Sequence, residues 1–186
     1  MNIIQSPSPN FYGRSGHKPE LIVVHCTDGN WPSDMEWLRN PASVVSSHFV
    51  ISPQGEVHQL VDPEKGAWHA GRIDKPTAKL LKKNLVGSYV NPNYYSIGIE
   101  VSLRPPMTMS EAQEDALKQL ILDLSEKYEI PVDRDHIIGH REIFSLKTCP
   151  GTISIDKLVE DLQVVVSPGE TPDEIKKKIV DLLSRL

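Results

Sequence analysis

Residues 21–25 read L-I-V-V-H, a continuous apolar run that ends in a histidine. Such a run is typical of a strand buried on both faces, as in sheets that helices cover on both sides. Residues 110–128 carry apolar side chains at helical spacing, and Ser110 and Gln113 form the pattern of a capping box. The sequence therefore predicts a single α/β domain with a central mixed β-sheet flanked by helices.

Four more segments supply strands to this predicted sheet. Residues 44–51 and 56–61 flank the sequence S-P-Q-G and predict a β-hairpin in which Gly55 takes the positive φ of the turn. Residues 96–103, S-I-G-I-E-V-S-L, predict a second buried strand, and residues 136–139 predict the last one.

The chain divides into three parts. Residues 1–19 contain prolines and glycines that break any periodic pattern, which predicts an irregular N-terminal arm. Residues 20–166 form the predicted domain, and residues 167–186 are predicted to be a linker followed by a C-terminal helix with one apolar face. That face packs on the domain or meets a partner, so a weak dimer through this helix is a hypothesis.

Composition excludes several classes of protein. A length of 186 residues with 39% hydrophobic residues suits one globular domain, and a net charge of −5 gives no electrostatic support for a nucleic-acid partner. The absence of a basic start and of any apolar run of about 18 residues predicts synthesis in the cytoplasm without a signal peptide, and no membrane insertion. Cys26 and Cys149 are too few for a disulfide scaffold, although a single bond between them remains open.

Residues 137–151, I-I-G-H-R-E-I-F-S-L-K-T-C-P-G, place a histidine, a lysine and a cysteine on one short connection. Imidazole and thiolate are ligands that zinc prefers. His25 is the best third ligand because it ends a buried strand, while His140 follows another strand that can lie alongside. We therefore predict that His25, His140 and Cys149 hold one zinc ion per chain, with one coordination position open for water.

Two further residues suit hydrolysis at such a metal. Glu100 is embedded in a buried strand, where a carboxylate is costly unless it is used, and it is the candidate base for a water molecule. Lys147, two residues before Cys149, is the candidate cation for the oxyanion of a tetrahedral intermediate. An edge-strand Glu100 pointing to water and a solvated Lys147 are the structural alternatives.

Five ordered motifs resemble those of the zinc-dependent N-acetylmuramoyl-L-alanine amidases of the type 2 family. This family includes phage lysozyme-type endolysins, bacterial muropeptide-recycling amidases and peptidoglycan recognition proteins. The resemblance implies the type 2 amidase fold and the same zinc, base and oxyanion residues, and it implies that Trp68 and His69 line a cleft for peptidoglycan or muropeptides. A packed histidine behind the metal ligands is the structural alternative for His69. The motifs, between residues 20 and 165, are L-I-V-V-H-C-T, S-S-H-F-V-I-S-P-Q-G-E-V, A-W-H-A-G, N-P-N-Y-Y-S-I-G-I-E and G-H-R-E-I-F-S-L-K-T-C-P-G.

The chain departs from the family pattern in two respects. Members with a cysteine ligand commonly carry a tyrosine before the histidine of the hairpin, but here Ser47 precedes His48. The recycling branch instead uses the glutamate of S-I-G-I-E, usually with aspartate as the third ligand. This chain combines the cysteine ligand with the glutamate, which places the role of the base on Glu100.

The predicted function is hydrolysis of the amide between N-acetylmuramic acid and L-alanine, by a phage or prophage endolysin acting on the cell wall. A cytosolic muropeptide-recycling amidase is the alternative setting. A non-catalytic peptidoglycan-recognition module is the rival class, although we would expect such a protein to have lost Cys149. A third hypothesis makes Cys149 a nucleophile with a histidine base, which leaves Glu100 and Lys147 without a role.

Overall fold

The computed structural model describes residues 1–165 together with Lys177 and Val180. Except for those two positions, the predicted linker and C-terminal helix at 167–186 lie outside the described residues. The described helices are α1 (Ser33–Arg39), α2 (Glu111–Tyr128) and α3 (Ile155–Val165). The strands are β1 (Ile3–Gln5), β2 (Phe11–Gly13), β3 (Leu21–Cys26), β4 (Phe49–Ile51), β5 (Val57–Gln59), β6 (Lys65–Ala67), β7 (Ser96–Val101) and β8 (Ile137–Gly139).

The main sheet has six strands in the order β1-β5-β4-β7-β3-β8. Strand β3 is an internal strand, paired in parallel with β7 over all six residues and with β8 on the other side. Strands β4 and β5 form the predicted antiparallel hairpin, and β4 also pairs in parallel with β7. The predicted α/β fold with a mixed sheet is therefore confirmed.

Both faces of β3 are buried, as its apolar run predicts. Ile22, Val24 and Cys26 belong to the larger hydrophobic cluster, which also contains the apolar faces of α2 and α3. Leu21 and Val23 point to the opposite face and join a smaller cluster around Tyr95 and Ile138. The strand is thus held by packing on both sides, which fixes the position of the residues at its end.

The N-terminal segment is more regular than the sequence predicts. Strand β1 pairs with β5 at the edge of the main sheet, and β2 pairs with β6 in a separate two-stranded sheet. Arg14, which is buried, donates hydrogen bonds to the backbone carbonyls of Pro63, Tyr94 and Ser96. Strands of three residues are too short to show a period, so the sequence pattern indicated only an irregular arm. The division between this arm and residues 20–166 stays a prediction.

Two local predictions are confirmed near α2. Gly55 has φ of +80°, and a Cβ there would lie 2.5 Å from the Ala112 carbonyl oxygen, so the hairpin turn packs directly on the start of the helix. The Ser110 and Gln113 side chains form both hydrogen bonds of the capping box. Among the described residues, no helix is both long and apolar enough to cross a bilayer.

Candidate active site

The register of the sheet brings three candidate residues to one edge. His25 is the Cα partner of Glu100 across the β3–β7 pair. Val24 pairs with Gly139, so His140 begins directly beyond the end of β8, beside His25. All three strands run in parallel, and the carboxyl ends of parallel strands are where α/β folds bind ligands.

His25, His140 and Cys149 converge on one point. Their ligand atoms all lie within 4.8 Å of one another. Cys149 Sγ is 3.6 Å from His25 Nδ1, and the His25 and His140 ring centroids are 4.7 Å apart. The Cys26 backbone N–H donates to Cys149 Sγ at 3.3 Å, which holds the thiol at the end of β3. Two imidazoles and one sulfur at these separations match the donor set of a zinc site.

Both histidines are held in the neutral form that a metal requires. Burial lowers the pKa of His25 well below 6.5, and the neighbouring His140 and Lys147 lower it further. Burial and then Lys147 lower the pKa of His140 to about 4. Because only a neutral imidazole has a lone pair to give, both side chains are ready to bind a cation at neutral pH.

Cys149 is a free cysteine, and so is Cys26. The neighbouring Cys26 side chain and burial both raise the pKa of the Cys149 thiol. A nucleophilic cysteine needs a lowered pKa, so this environment disfavours the hypothesis that Cys149 attacks the substrate. A bound cation has the opposite effect, because coordination removes the proton of a thiol outright.

Glu100 points into the same space. Its Oε1 lies 3.9 Å from His25 Nδ1, and its Oε2 is buried without a hydrogen-bond partner among the described residues. Burial raises the pKa of Glu100 to about 8, and Cys26 and Asp34 add to the shift while Lys147 opposes it. A buried carboxyl group with a free oxygen beside a set of metal ligands is suited to exchange protons with a small ligand there.

These groups line a cleft of about 840 Å³. Lys147, Trp68 and His69 also line it, so every predicted catalytic, metal-binding and substrate-binding residue lies at one cavity. Lys147 lies on the loop that carries Cys149 and is exposed. Trp68 keeps a buried indole N–H without a partner among the described residues, which leaves a donor beside the cleft.

A comparison with known protein families decides the class of the chain. The family described as N-acetylmuramoyl-L-alanine amidase matches residues 15–152. The chain belongs to this family. The resemblance predicted from the five motifs, and with it the enzyme class, is therefore confirmed.

Individual relatives agree with this assignment. The chain is 30% identical over 168 residues to 1,6-anhydro-N-acetylmuramyl-L-alanine amidase AmpD of Salmonella typhimurium, covering 78% of this chain and 81% of that protein. A selenomethionine crystal structure of AmpD superposes with a TM-score of 0.68 at 25% identity, over 86% of this chain and 93% of that chain. AmiD from E. coli, solved with anhydro-N-acetylmuramic acid-L-Ala-D-gamma-Glu-L-Lys, has a TM-score of 0.63 at 24% identity, over 83% and 60%.

Ser47 and His48, the hairpin residues at which the chain departs from the family pattern, lie behind the cleft of this amidase. The Ser47 hydroxyl is buried and donates to the Phe49 carbonyl at 2.7 Å. His48 is fully buried, and its Nδ1 accepts the Gly98 backbone N–H at 2.9 Å while its Nε2 lies 3.0 Å from the Lys65 carbonyl. Neither side chain lines the cleft, so both serve the architecture beneath it.

Sequence reasoning missed Asp34, which lines the cleft from α1. Its carboxylate accepts hydrogen bonds from Thr27 Oγ1 at 2.8 Å and from Ser102 Oγ at 2.6 Å. These bonds tie α1 to the segments that follow β3 and β7. The available signal was the pattern of an acidic residue in the first turn of a helix, which has many explanations besides a site.

Proposed function

We propose that this amidase hydrolyses the bond between N-acetylmuramic acid and L-alanine with one zinc ion held by His25, His140 and Cys149. The observation that carries the proposal is the convergence of these three ligand atoms within 4.8 Å at the open edge of the sheet. The donor set fits zinc in chemical type and in number, leaving one position open. The unpartnered Glu100 oxygen beside it supports a catalytic rather than a purely structural site.

A zinc ion at this position would polarise the substrate carbonyl and lower the pKa of a bound water. Glu100 accepts the proton of the attacking water and returns it to the leaving nitrogen of L-alanine. The raised pKa of the carboxyl group makes it an effective proton donor in that second step. One residue thus serves as base and then as acid.

Lys147 and Trp68 complete the proposed machinery. Lys147 is exposed and lines the cleft, and its ammonium group would stabilise the negative charge that develops on the carbonyl oxygen. Trp68 lines the cleft, and its ring supplies an apolar wall for the muramoyl or peptide part of the substrate.

The proposed substrate form is the soluble anhydro-muropeptide. Curated relatives at 29–30% identity, from Salmonella typhimurium and Citrobacter freundii, are named for the 1,6-anhydro form. The endolysins among the solved structures share 18–25% identity. The endolysin setting predicted from the sequence stays a prediction, and digestion of intact cell walls beside soluble muropeptides is the direct comparison.

The test is hydrolysis of anhydro-N-acetylmuramic acid-L-Ala-D-gamma-Glu-L-Lys, with the released peptide identified by mass spectrometry. The wild-type protein should contain one zinc ion, lose activity on chelation and regain it with zinc. Glu100→Gln should keep the metal but lose about 10²- to 10⁴-fold in kcat. Glu111→Gln, on the exposed first turn of α2, is the matched control and should behave as wild type. Full activity of zinc-loaded Glu100→Gln would overturn the proposed role of Glu100.

A further inference from the structure

The two ring nitrogens of His25 face different environments. Nδ1 faces the candidate metal site, 3.6 Å from Cys149 Sγ and 3.9 Å from Glu100 Oε1. Nε2 points away from it and lies 3.0 Å from Nδ1 of His69. His25 can therefore bind a cation only if Nδ1 carries the lone pair and Nε2 carries the proton.

His69 continues the contact to a second residue. Its Nε2 lies 3.3 Å from the Ser96 hydroxyl, and that hydroxyl donates to the Pro92 carbonyl at 2.8 Å. A carbonyl oxygen can only accept, so the proton of the Ser96 hydroxyl is committed to Pro92. The hydroxyl oxygen then accepts the proton of His69 Nε2, and the Nδ1 of a neutral His69 is left as an acceptor for His25.

This order of donors selects one tautomer of the metal ligand. Protons point from His25 Nε2 to His69 Nδ1, from His69 Nε2 to Ser96 Oγ, and from Ser96 Oγ to the Pro92 carbonyl. In the opposite order, His69 would donate to His25 Nε2, and the single proton of His25 would sit on Nδ1. The lone pair would then face away from the site, and the Pro92 carbonyl would lose its shorter bond.

The backbone around His69 is shaped to hold this ring. A Cβ on Gly98 would lie 2.6 Å from His69 Cγ, so the ring rests directly on the bare backbone of β7. The His69 backbone N–H donates to Asn93 Oδ1 at 3.2 Å, which fixes the chain that carries the ring. The buried His48 ring adds an edge contact, with centroids 5.5 Å apart. The ring is therefore confined from three sides.

We propose that His69 and Ser96 are positioning residues that hold His25 in the tautomer whose Nδ1 binds the metal. The proposal rests on the zinc site of the proposed function and gives His69 a role beyond lining the cleft. Partners that donate or accept behind a metal-binding histidine fix its orientation and typically contribute about 10- to 100-fold in metal affinity. Ser96 acts through His69, so its loss should have the smaller effect.

The test measures zinc affinity by competition with a chromophoric chelator, apart from activity. His69→Leu should weaken zinc binding by about 10- to 100-fold. His69→Asn, whose carbonyl oxygen can replace Nδ1 as acceptor, should recover a large part of the lost zinc affinity. The zinc affinity of Ser96→Ala should lie between those of His69→Asn and His69→Leu. His17→Leu is the matched control, because His17 stacks on Tyr94 and does not line the cleft. Zinc affinity of His69→Leu within twofold of wild type, with a raised KM instead, would show a substrate contact and overturn the proposal.

A second measurement uses the wild-type protein and so does not depend on the folding of a variant. Long-range ¹⁵N–¹H NMR of the histidine rings in the zinc-loaded protein should show His25 protonated on Nε2 and His69 protonated on Nε2. A proton on His69 Nδ1 would overturn the proposed order. Failure of the wild-type protein to bind zinc would instead refute the proposed function on which this order rests.

Discussion

The contact between Gly98 and His69 predicts that one added methyl group will damage a metal site that it does not touch. A Cβ at Gly98 would lie 2.6 Å from His69 Cγ, whereas ordinary contacts begin at 3.4 Å. The His69 ring must therefore withdraw by about 0.8 Å, which would lengthen its 3.0 Å hydrogen bond to His25 to at most about 3.8 Å and turn the ring out of line with His25 Nε2. Overpacking of this kind costs about 1–3 kcal/mol of stability.

The assay compares Gly98→Ala with wild type in zinc affinity, hydrolysis of the muropeptide and urea unfolding. Zinc affinity should fall by about 10- to 100-fold as the bond behind His25 is lost. Gly13→Ala is the matched control, because a Cβ on Gly13 would meet nothing within 4 Å and its backbone is not in the left-handed region. Zinc affinity and kcat of Gly98→Ala both within twofold of wild type would refute the reasoning.

A double variant sharpens this test. His69→Ala removes the Cγ, Nδ1 and Cδ2 atoms that the new Cβ would strike, so Gly98→Ala has no ring to displace in that background. The losses of zinc-binding free energy caused by Gly98→Ala and by His69→Ala should therefore be less than additive, with a coupling energy of about 0.5–3 kcal/mol. Strictly additive losses would mean that the two residues act independently.

Three further predictions concern the site and its support. Cys149→Ser should lower bound zinc well below one ion per chain in metal analysis, whereas Cys26→Ser should retain it. Lys147→Met should retain zinc and lose about 10²- to 10³-fold in kcat, measured on the same muropeptide. Burial and Arg14 lower the pKa of His48 from 6.5 to about 3, so neutral His48 contributes stability that is present above pH 6.5 and lost as the pH falls towards 3. The free energy of unfolding can be measured with urea in the presence of a metal chelator between pH 6 and 4. Its slope against pH should be smaller by about 1.4 kcal/mol per pH unit in His48→Gln than in wild type, because the other shifted groups are common to both proteins.

The fold was predictable where a sequence pattern reports a packing environment. The apolar run at residues 21–25 predicted a strand buried on both faces, and the structure packs β3 between two hydrophobic clusters. The capping box at Ser110 predicted the start of α2 because its two hydrogen bonds depend on neighbours in the chain. Strand β1 was missed because its pairing with β5 is long-range and leaves no period in three residues.

The candidate site was predictable in its residue types and not in its geometry. His25 and His140 could be placed at strand ends and Glu100 inside a buried strand, and the register then determined that they lie side by side. The hydrogen bonds behind His25 could not be predicted, since they join His69 and Ser96 from distant parts of the chain. The glycine inside the strand S-I-G-I-E-V was the available signal, because glycine within a strand often marks a close approach of other atoms.

Strand β7 carries three residues of the site, and all three depend on its register with β3. Side chains alternate along a strand, so Ser96, Gly98 and Glu100 share the face that meets the cleft. Ser96 lies within hydrogen-bond distance of His69, and Gly98 leaves room for the His69 ring. Glu100 lies beside the metal ligand His25. A slip of one residue in the β3–β7 register would turn all three positions to the opposite face, against the helices. The buried six-residue pairing of β3 with β7 therefore does more than stabilise the core, because the tautomer of His25 and the position of Glu100 both depend on that single register.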